Sequence, residues 1–421
     1  MGIVDDRTVT GPAATWRVPF HVPRITDEAV DAVVDVLRSG WLTTGQRCRD
    51  FETAFGALLG DDVHAVAVNS ATAALHLGLE ALGVAGGDLV LTTPYTFAAT
   101  AEVVRHLGAE PVFCDVDPTT GNITAQTVRA AYAALAPADR DRVRALVPVH
   151  FAGRPCDMSA LTALADAHAW GLVDDAAHAL PAEHRGRPIG SLGDVTAFSF
   201  YVTKPLSTGE GGMATTRDPD LADHMRTMRL HGIDRDVFDR YQRADAWYYE
   251  VVAAGFKYNL TDLAAALGLV QLRHLAAEHA RRRAIATAYT EGLRDVEGLT
   301  LPDDDPGHAW HLYAVRVLDG PAVRSALVRR LAEVGIGTSV HFIPLHLQPY
   351  YRDRLGLRPE DLPGATRLYE QEISLPIWPG MSDDQVQTVV EAVPAALRAA
   401  RRDLTHGARH ATARRQTRHA S

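Results

Sequence analysis

His64-Ala-Val-Ala-Val68, followed directly by Asn69-Ser-Ala-Thr72 and the run Ala71 to Leu82, decides the fold. The first five residues fit a buried strand, the small and hydroxyl-bearing residues fit a turn, and the run behind them fits a helix. The alternation repeats downstream. Leu89 to Thr92 reads as a strand and Phe97 to Leu107 as a helix. Pro111 to Cys114 and Arg144 to Val149 read as strands, and Met158 to His168 as a helix. Gly171 to Asp174, Val195 to Phe200 and Gly212 to Thr216 read as further strands. Strands alternating with helices predict a mostly parallel sheet covered on both faces. In such an α/β fold, functional residues stand just beyond the carboxyl ends of the strands.

Past Asn259, the spacing of Leu260, Leu263, Leu267, Val270 and Leu275 predicts one long helix reaching about Arg294. It would lead into a smaller α+β lobe, read as strand His311 to Val317, helix Ala322 to Val334, strand Gly337 to Phe342 and last helix Asp383 to Leu397. The expected units are an N-terminal extension (1–20), a large α/β domain (21–260), a connecting helix (261–294), a small C-terminal α+β domain (295–398) and a tail (399–421). The tail is rich in Arg, Ala and His without apolar periodicity, which predicts disorder.

Composition narrows the function. The net charge of −10 over 421 residues argues against a nucleic-acid partner. No apolar run approaches the roughly 18 residues of a membrane span. The stretch Met1 to Trp16 carries Asp5 and Asp6 and no apolar signal core, so a cytoplasmic location is expected. Cys48, Cys114 and Cys156 are far apart and suggest neither disulfides nor a metal site. Lysine occurs only at Lys204 and Lys257, against forty arginines. Arginine keeps its proton and cannot act as an amine nucleophile, so a retained lysine invites a chemical reading.

Three strand-end segments carry that reading. Asn69-Ser-Ala-Thr72 offers hydroxyls and a helix N-terminus suited to a phosphate, although Ser and Thr are also ordinary caps. Asp174-Asp175-Ala-Ala-His178 places two acids at a strand end. Both cannot face the core, and one could hold a ring nitrogen protonated; capping or solubility is the alternative. In Phe198-Ser-Phe-Tyr-Val-Thr-Lys204-Pro-Leu-Ser-Thr-Gly-Glu-Gly-Gly212, a lysine follows a strand among hydroxyls and glycines. That suits Schiff-base chemistry with a phosphorylated aldehyde, the alternative being a plain glycine loop. Phe97 could stack on a flat ring or belong to the core.

Together these segments resemble the nucleotide-sugar aminotransferases of the DegT/StrS type, pyridoxal phosphate enzymes of the aspartate-aminotransferase-like fold (fold type I). The resemblance runs from Ser39-Gly-Trp41 and Phe51-Glu52 to Leu375-Pro376. It takes in Gly87-Asp88, Pro148-Val-His150, Gly153, His231-Gly232 and Asn259 besides the segments above. It implies that Lys204 forms the Schiff base and then moves the proton at the substrate carbon. Asp175 would pair with the pyridinium nitrogen, His178 would lie beside the ring and Phe97 on its face. Ala71, Thr72 and Ser199 would hold the phosphate, joined by Asn259 from the neighbouring subunit of a homodimer with shared active sites. Lys257 would add charge nearby. Tyr201 stands where His is common and Ala71 where Gly is frequent. Lys204 and the scattered cysteines separate the chain from dehydratase relatives with His at the lysine position and from an iron–sulfur branch.

The implied reaction takes the amine from L-glutamate, with pyridoxamine phosphate as the intermediate cofactor form and 2-oxoglutarate as by-product. The segment from Tyr249 to Asp262 most resembles the subgroup acting on 4-keto sugars, which implies a nucleotide-linked 4-keto-6-deoxyhexose as acceptor, in antibiotic or surface-glycan amino-sugar biosynthesis. A 3-keto sugar or keto-cyclitol acceptor stays open, as does a non-catalytic pyridoxal phosphate-binding regulator. Ser339-Val-His-Phe-Ile-Pro-Leu-His346 resembles the substrate-side loop, which makes His341 a candidate substrate contact or else a structural histidine.

Overall fold

The computed structural model describes residues 16–234 and 248–419. The first fifteen residues of the expected extension and the last two of the expected tail lie outside these. The large domain is built on a seven-stranded sheet whose strands are β1 (His64–Val68), β2 (Leu89–Thr92), β3 (Glu110–Phe113), β4 (Val143–Val147), β5 (Gly171–Asp175), β6 (Val195–Ser199) and β7 (Gly212–Thr216). Their order across the sheet is β1-β7-β6-β5-β4-β2-β3. Only β7 runs against the rest. The twelve-residue connection 200–211 closes on itself, the Phe200 N–H donating to Gly211 O, so β7 returns directly beside β6 and pairs with it antiparallel. The parallel strands therefore end at one edge, the edge the sequence pattern designates for the site.

Helices α1 (Asp27–Ser39), α2 (Gln46–Leu59), α3 (Ala71–Ala81), α4 (Ala99–His106), α5 (Ala125–Ala134), α6 (Met158–His168) and α7 (Pro219–Met228) accompany the sheet. On one face, Phe51 and Phe55 of α2 meet Phe198 and Phe200 at ring-centroid distances of 5.2–5.6 Å. Such pairs add about 0.5–1.5 kcal/mol each beyond burial. The alternation Phe-Ser-Phe then turns Ser199 the other way, toward the site. On the opposite face, Val66, Val68, Ala74, Leu77 and Val173 form a second apolar layer under α3.

Helix α8 (Asp262–Leu293) is the predicted connector. Thr261 caps it, its side chain accepting from the Ala264 N–H. Ala265 and Leu275 pack in the large core, whereas Ile285, Tyr289 and Leu293 pack in the small one. The small lobe holds an antiparallel sheet of β8 (Leu299–Thr300), β9 (Tyr313–Val317) and β10 (Glu372–Leu375), with helices α9 (Pro321–Glu333) and α10 (Asp383–His419).

Four expectations change. Gly337 to Phe342 is not a strand. Ser339 exchanges backbone bonds with Ser374, but the His341 N–H goes to the Glu372 carboxylate, so a side chain ends the ladder. The third strand is β10 instead. Helix α10 does not stop at Leu397 but continues to His419, giving helical backbone to the stretch expected to be disordered. Ala, Arg and Gln favour helix without an apolar stripe. Of the segment expected to form an extension, the described residues 16–20 join the small lobe: Val18 is fully buried in its core and bridges Ile336. Lastly, Asp174 and Asp175 are both buried, because successive side chains point to opposite faces and both faces are covered. Asp174 accepts from Thr196 Oγ1 at 3.2 Å, and burial lifts its carboxyl to about 8.

Candidate active site

Strand ends β1, β5 and β6 and the small-lobe loop 339–342 enclose a cavity of about 490 Å³. Ala71, Thr72, Phe97, Asp175, His178, Ser199, Lys204 and His341, all picked out by sequence, line it, together with Ser70, Thr96, Tyr201, Thr203, Glu210 and His311. Asn259 does not line it. Its Nδ2 donates to Thr44 Oγ1 at 2.7 Å, and Lys257 Nζ meets its Oδ1.

Asp175 is held from both sides. Its N–H donates to Pro148 O at 2.8 Å, and the His150 N–H donates to its carbonyl at 3.2 Å. Its carboxylate accepts from Thr100 Oγ1 at 2.7 Å and from the Ala177 N–H at 3.1 Å. Thr100 in turn meets Thr96 Oγ1 at 2.7 Å. Burial raises the Asp175 carboxyl, and the Thr100 hydroxyl, the Ala177 N–H and the Lys204 charge draw it back.

Lys204 sits in the loop between β6 and β7. Its N–H donates to Tyr201 O at 2.9 Å, while at the loop base the Thr208 N–H donates to Phe200 O and the Phe200 N–H to Gly211 O, each at 2.9 Å. Burial brings its ammonium down to about 8, against the opposing pull of Asp175. It is the only Lys or Arg among the described lining residues. His178 and His311 stand 4.5 Å apart between ring centroids, and burial, reinforced by Lys204, keeps both neutral. His178 Nδ1 is buried without a hydrogen-bond partner among the described residues.

Glycine fixes the third wall. Gly212 pairs with Val68, and a Cβ there would come within 2.5 Å of the Ser70 carbonyl carbon. Only glycine lets β7 approach the start of α3, where Ser70 Oγ caps the Ala73 N–H at 3.1 Å. The first N–H groups of a helix lack internal acceptors, so this corner suits a phosphate. Phe97 is 65% exposed at the mouth, its ring 6.3 Å from Phe342. An amine of lowered basicity, a buried carboxylate opposite, an exposed aromatic face and a phosphate corner fit pyridoxal phosphate.

Sequence reasoning missed Thr96, Thr100 and His311. The two threonines lie four residues apart on the approach to and first turn of α4, a spacing that was legible. His311 comes from the other lobe, and nothing local announces it.

The model of the DegT/DnrJ/EryC1/StrS aminotransferase family matches residues 23–394. The Bacillus subtilis spore coat polysaccharide biosynthesis protein SpsC is 46% identical over 396 residues, covering 93% of this chain and 98% of the relative. Among solved structures, the aminotransferase TlmJ from Streptoalloteichus hindustanus is 37% identical with a TM-score of 0.81, covering 91% of this chain and 99% of that one. Helicobacter pylori PseC, an aminotransferase involved in pseudoaminic acid biosynthesis, is 28% identical with a TM-score of 0.83, covering 91% and 99%.

Proposed function

The chain belongs to the DegT/DnrJ/EryC1/StrS aminotransferase family, and from that premise we propose that it moves an amino group from L-glutamate to a nucleotide-linked 4-keto-6-deoxyhexose. The products would be a 4-amino sugar nucleotide and 2-oxoglutarate. That it is a pyridoxal phosphate-dependent enzyme transferring an amino group to a sugar follows from the family and its relatives. The observation that carries the residue assignment is the meeting of Lys204 and Asp175 in one cavity. One of two lysines in an arginine-rich chain is placed where burial frees its amine.

Bound there, pyridoxal phosphate supplies a carbonyl for amine capture and a ring that accepts an electron pair. Lys204 presents the nucleophilic nitrogen and later carries a proton to and from the reacting carbon. Asp175, kept ionised by Thr100 and the Ala177 N–H, holds a proton on the ring nitrogen. Phe97 covers one face of the ring and His178 lies beside it as a neutral donor. Ala71, Thr72 and Ser199 hold the phosphate. Asn259 serves the cavity of a second copy in a homodimer, which accounts for its place outside its own. His341 contacts the substrate.

The sequence from Tyr249 to Asp262 supports a 4-keto acceptor, and the polysaccharide and pseudoaminic acid roles of relatives support a sugar-nucleotide pathway. The test is purified enzyme with glutamate against a panel of 3-keto and 4-keto sugar nucleotides and a keto-cyclitol, read by mass of the aminated product. A 4-amino product is expected. Amination of only a 3-keto acceptor or cyclitol would reject the regiochemistry, and no 2-oxoglutarate with any acceptor would reject turnover.

A further inference from the structure

Glu372 of β10 is fully buried and forms no ion pair among the described residues. Around it stand Arg324 of α9, which donates to Tyr369 O at 3.2 Å, and Arg316 of β9, which donates to Pro118 O at 2.9 Å. The buried hydroxyl of Tyr95 and the imidazole of His341 also stand near it, and Arg154 and His308 share with it and Arg316 the lining of a small cavity. Glu372 Oε2 accepts from the His341 N–H at 2.8 Å, and Oε1 lies 2.5 Å from Ser374 Oγ. Ser374 Oγ lies 2.9 Å from His341 Nδ1. His341 lines the cavity with Lys204, and its Nε2 has no hydrogen bond among the described residues.

We propose that Glu372 and Ser374 are positioning residues that hand the single ring proton of His341 to Nε2, to be donated to an acceptor-only oxygen of the substrate. That oxygen is a carboxylate of the amino donor or the keto oxygen of the sugar. The inference rests on the reading above, in which His341 faces substrate.

The direction of the relay follows from one fixed donor. A backbone N–H can only donate, so Oε2 is the accepting oxygen in every state. Burial without an ion pair favours the uncharged carboxyl. It lifts Glu372 to about 8, with Ser374, the His341 N–H and Arg324 opposing. The acid proton then sits on Oε1 and goes to Ser374 Oγ, and the Ser374 proton goes to His341 Nδ1. His341 is neutral, brought down to about 4 by burial and by Lys204, so its one proton stands on Nε2. When Glu372 ionises, it releases one proton to solvent. Ser374 turns its hydroxyl to Oε1, and the ring proton is re-placed on Nδ1 through solvent. Nε2 then shows a lone pair, which repels carboxylate and keto oxygens. The donor state therefore holds below about 8 and is lost above it.

Glu372→Gln separates this from a merely structural role. The amide oxygen must still face the His341 N–H, so the amide N–H₂ faces Ser374 and copies the protonated acid at every pH. The experiment is nitrogen NMR of histidine-labelled holoenzyme, with the His341 signal assigned by its absence in His341→Asn. The wild type should show Nε2–H near pH 7 and cross to Nδ1–H near pH 9, about one unit beyond the midpoint. Glu372→Gln should keep Nε2–H at both, and Ser374→Ala, the alternative should the first variant not fold, should show both tautomers. Nδ1–H in the wild type near pH 7, an unchanged crossing in Glu372→Gln, or a single fixed tautomer in Ser374→Ala would each overturn the relay. In kinetics, His341→Asn should lower kcat/KM by about tenfold or more in the glutamate or the keto-sugar half-reaction, which identifies the oxygen. No loss in either half overturns the donor role. If Lys204 proved not to bind the cofactor, the functional reading would fall while the tautomer result stood.

Discussion

Thr100→Val tests the electrostatics of the site without touching a group in contact with substrate. The substitution keeps the branched shape and removes the hydroxyl that donates to Asp175 Oδ2 at 2.7 Å. A hydrogen bond to a charged acceptor contributes about 1.5–3 kcal/mol. That corresponds to roughly 10- to 150-fold in rate, at about 1.4 kcal/mol per tenfold. Burial already raises the Asp175 carboxyl, so losing the largest opposing influence raises it further. The ring-nitrogen proton is needed whichever substrate is bound. Both half-reactions should therefore slow by the same factor, and the deficit should shrink as pH rises and the carboxylate recovers. Single-turnover absorbance with glutamate and then with keto sugar measures both. A loss below about tenfold, or one confined to the KM of one substrate, would refute the reasoning, since about 1.5 kcal/mol is the least it allows. Thr96 also loses a partner, so near-ultraviolet circular dichroism should accompany the kinetics.

Other consequences are equally direct. In cofactor-free protein, capture of pyridoxal phosphate should accelerate with pH and level off above about 8, where the Lys204 amine is unprotonated; acceleration continuing to the ordinary lysine range would contradict the burial effect. Because the unfolded chain keeps that proton to higher pH, Lys204 should also make stability rise with pH above about 8, a slope that Lys204→Met should remove in urea titrations. Gly212→Ala should push the start of α3 outward and weaken cofactor affinity by about fivefold or more in fluorescence titration, since overpacking costs about 1–3 kcal/mol. Gly86→Ala, which meets nothing within 4 Å, should bind normally. Arg229→Met should lower the urea midpoint by the equivalent of about 3 kcal/mol, because the partly buried Glu52 would be left without its cation, with the Ala67 N–H still donating to it, and Glu52→Gln in the same chain should restore part of the loss.

The large domain was legible because each strand is a short apolar run closed by small or charged residues, and the site sits where those runs stop. Lys204 stood out for another reason: lysine occurs only twice against forty arginines, and this one lies in the cavity at the strand ends. What was hidden depended on long-range meetings. Val18 gives no local sign that it enters the small-lobe core. His311 reaches the cavity from beyond α8. The loop 337–342 has strand composition, but a carboxylate on β10 takes the hydrogen bond that a ladder would need. The two buried acids of β5 mislead when a strand end is imagined as having one covered face. Asn259 shows the reverse case, where resemblance assigned a role that its own chain's cavity does not display.

Borohydride treatment of the pyridoxal phosphate-loaded protein, followed by digestion and mass spectrometry, addresses the chemistry at its root. The expected result is a reduced phosphopyridoxyl group on the peptide carrying Lys204, none on Lys257, and none at all in Lys204→Arg. Label on Lys257, or an unlabelled Lys204 peptide from saturated wild-type protein, would contradict the account.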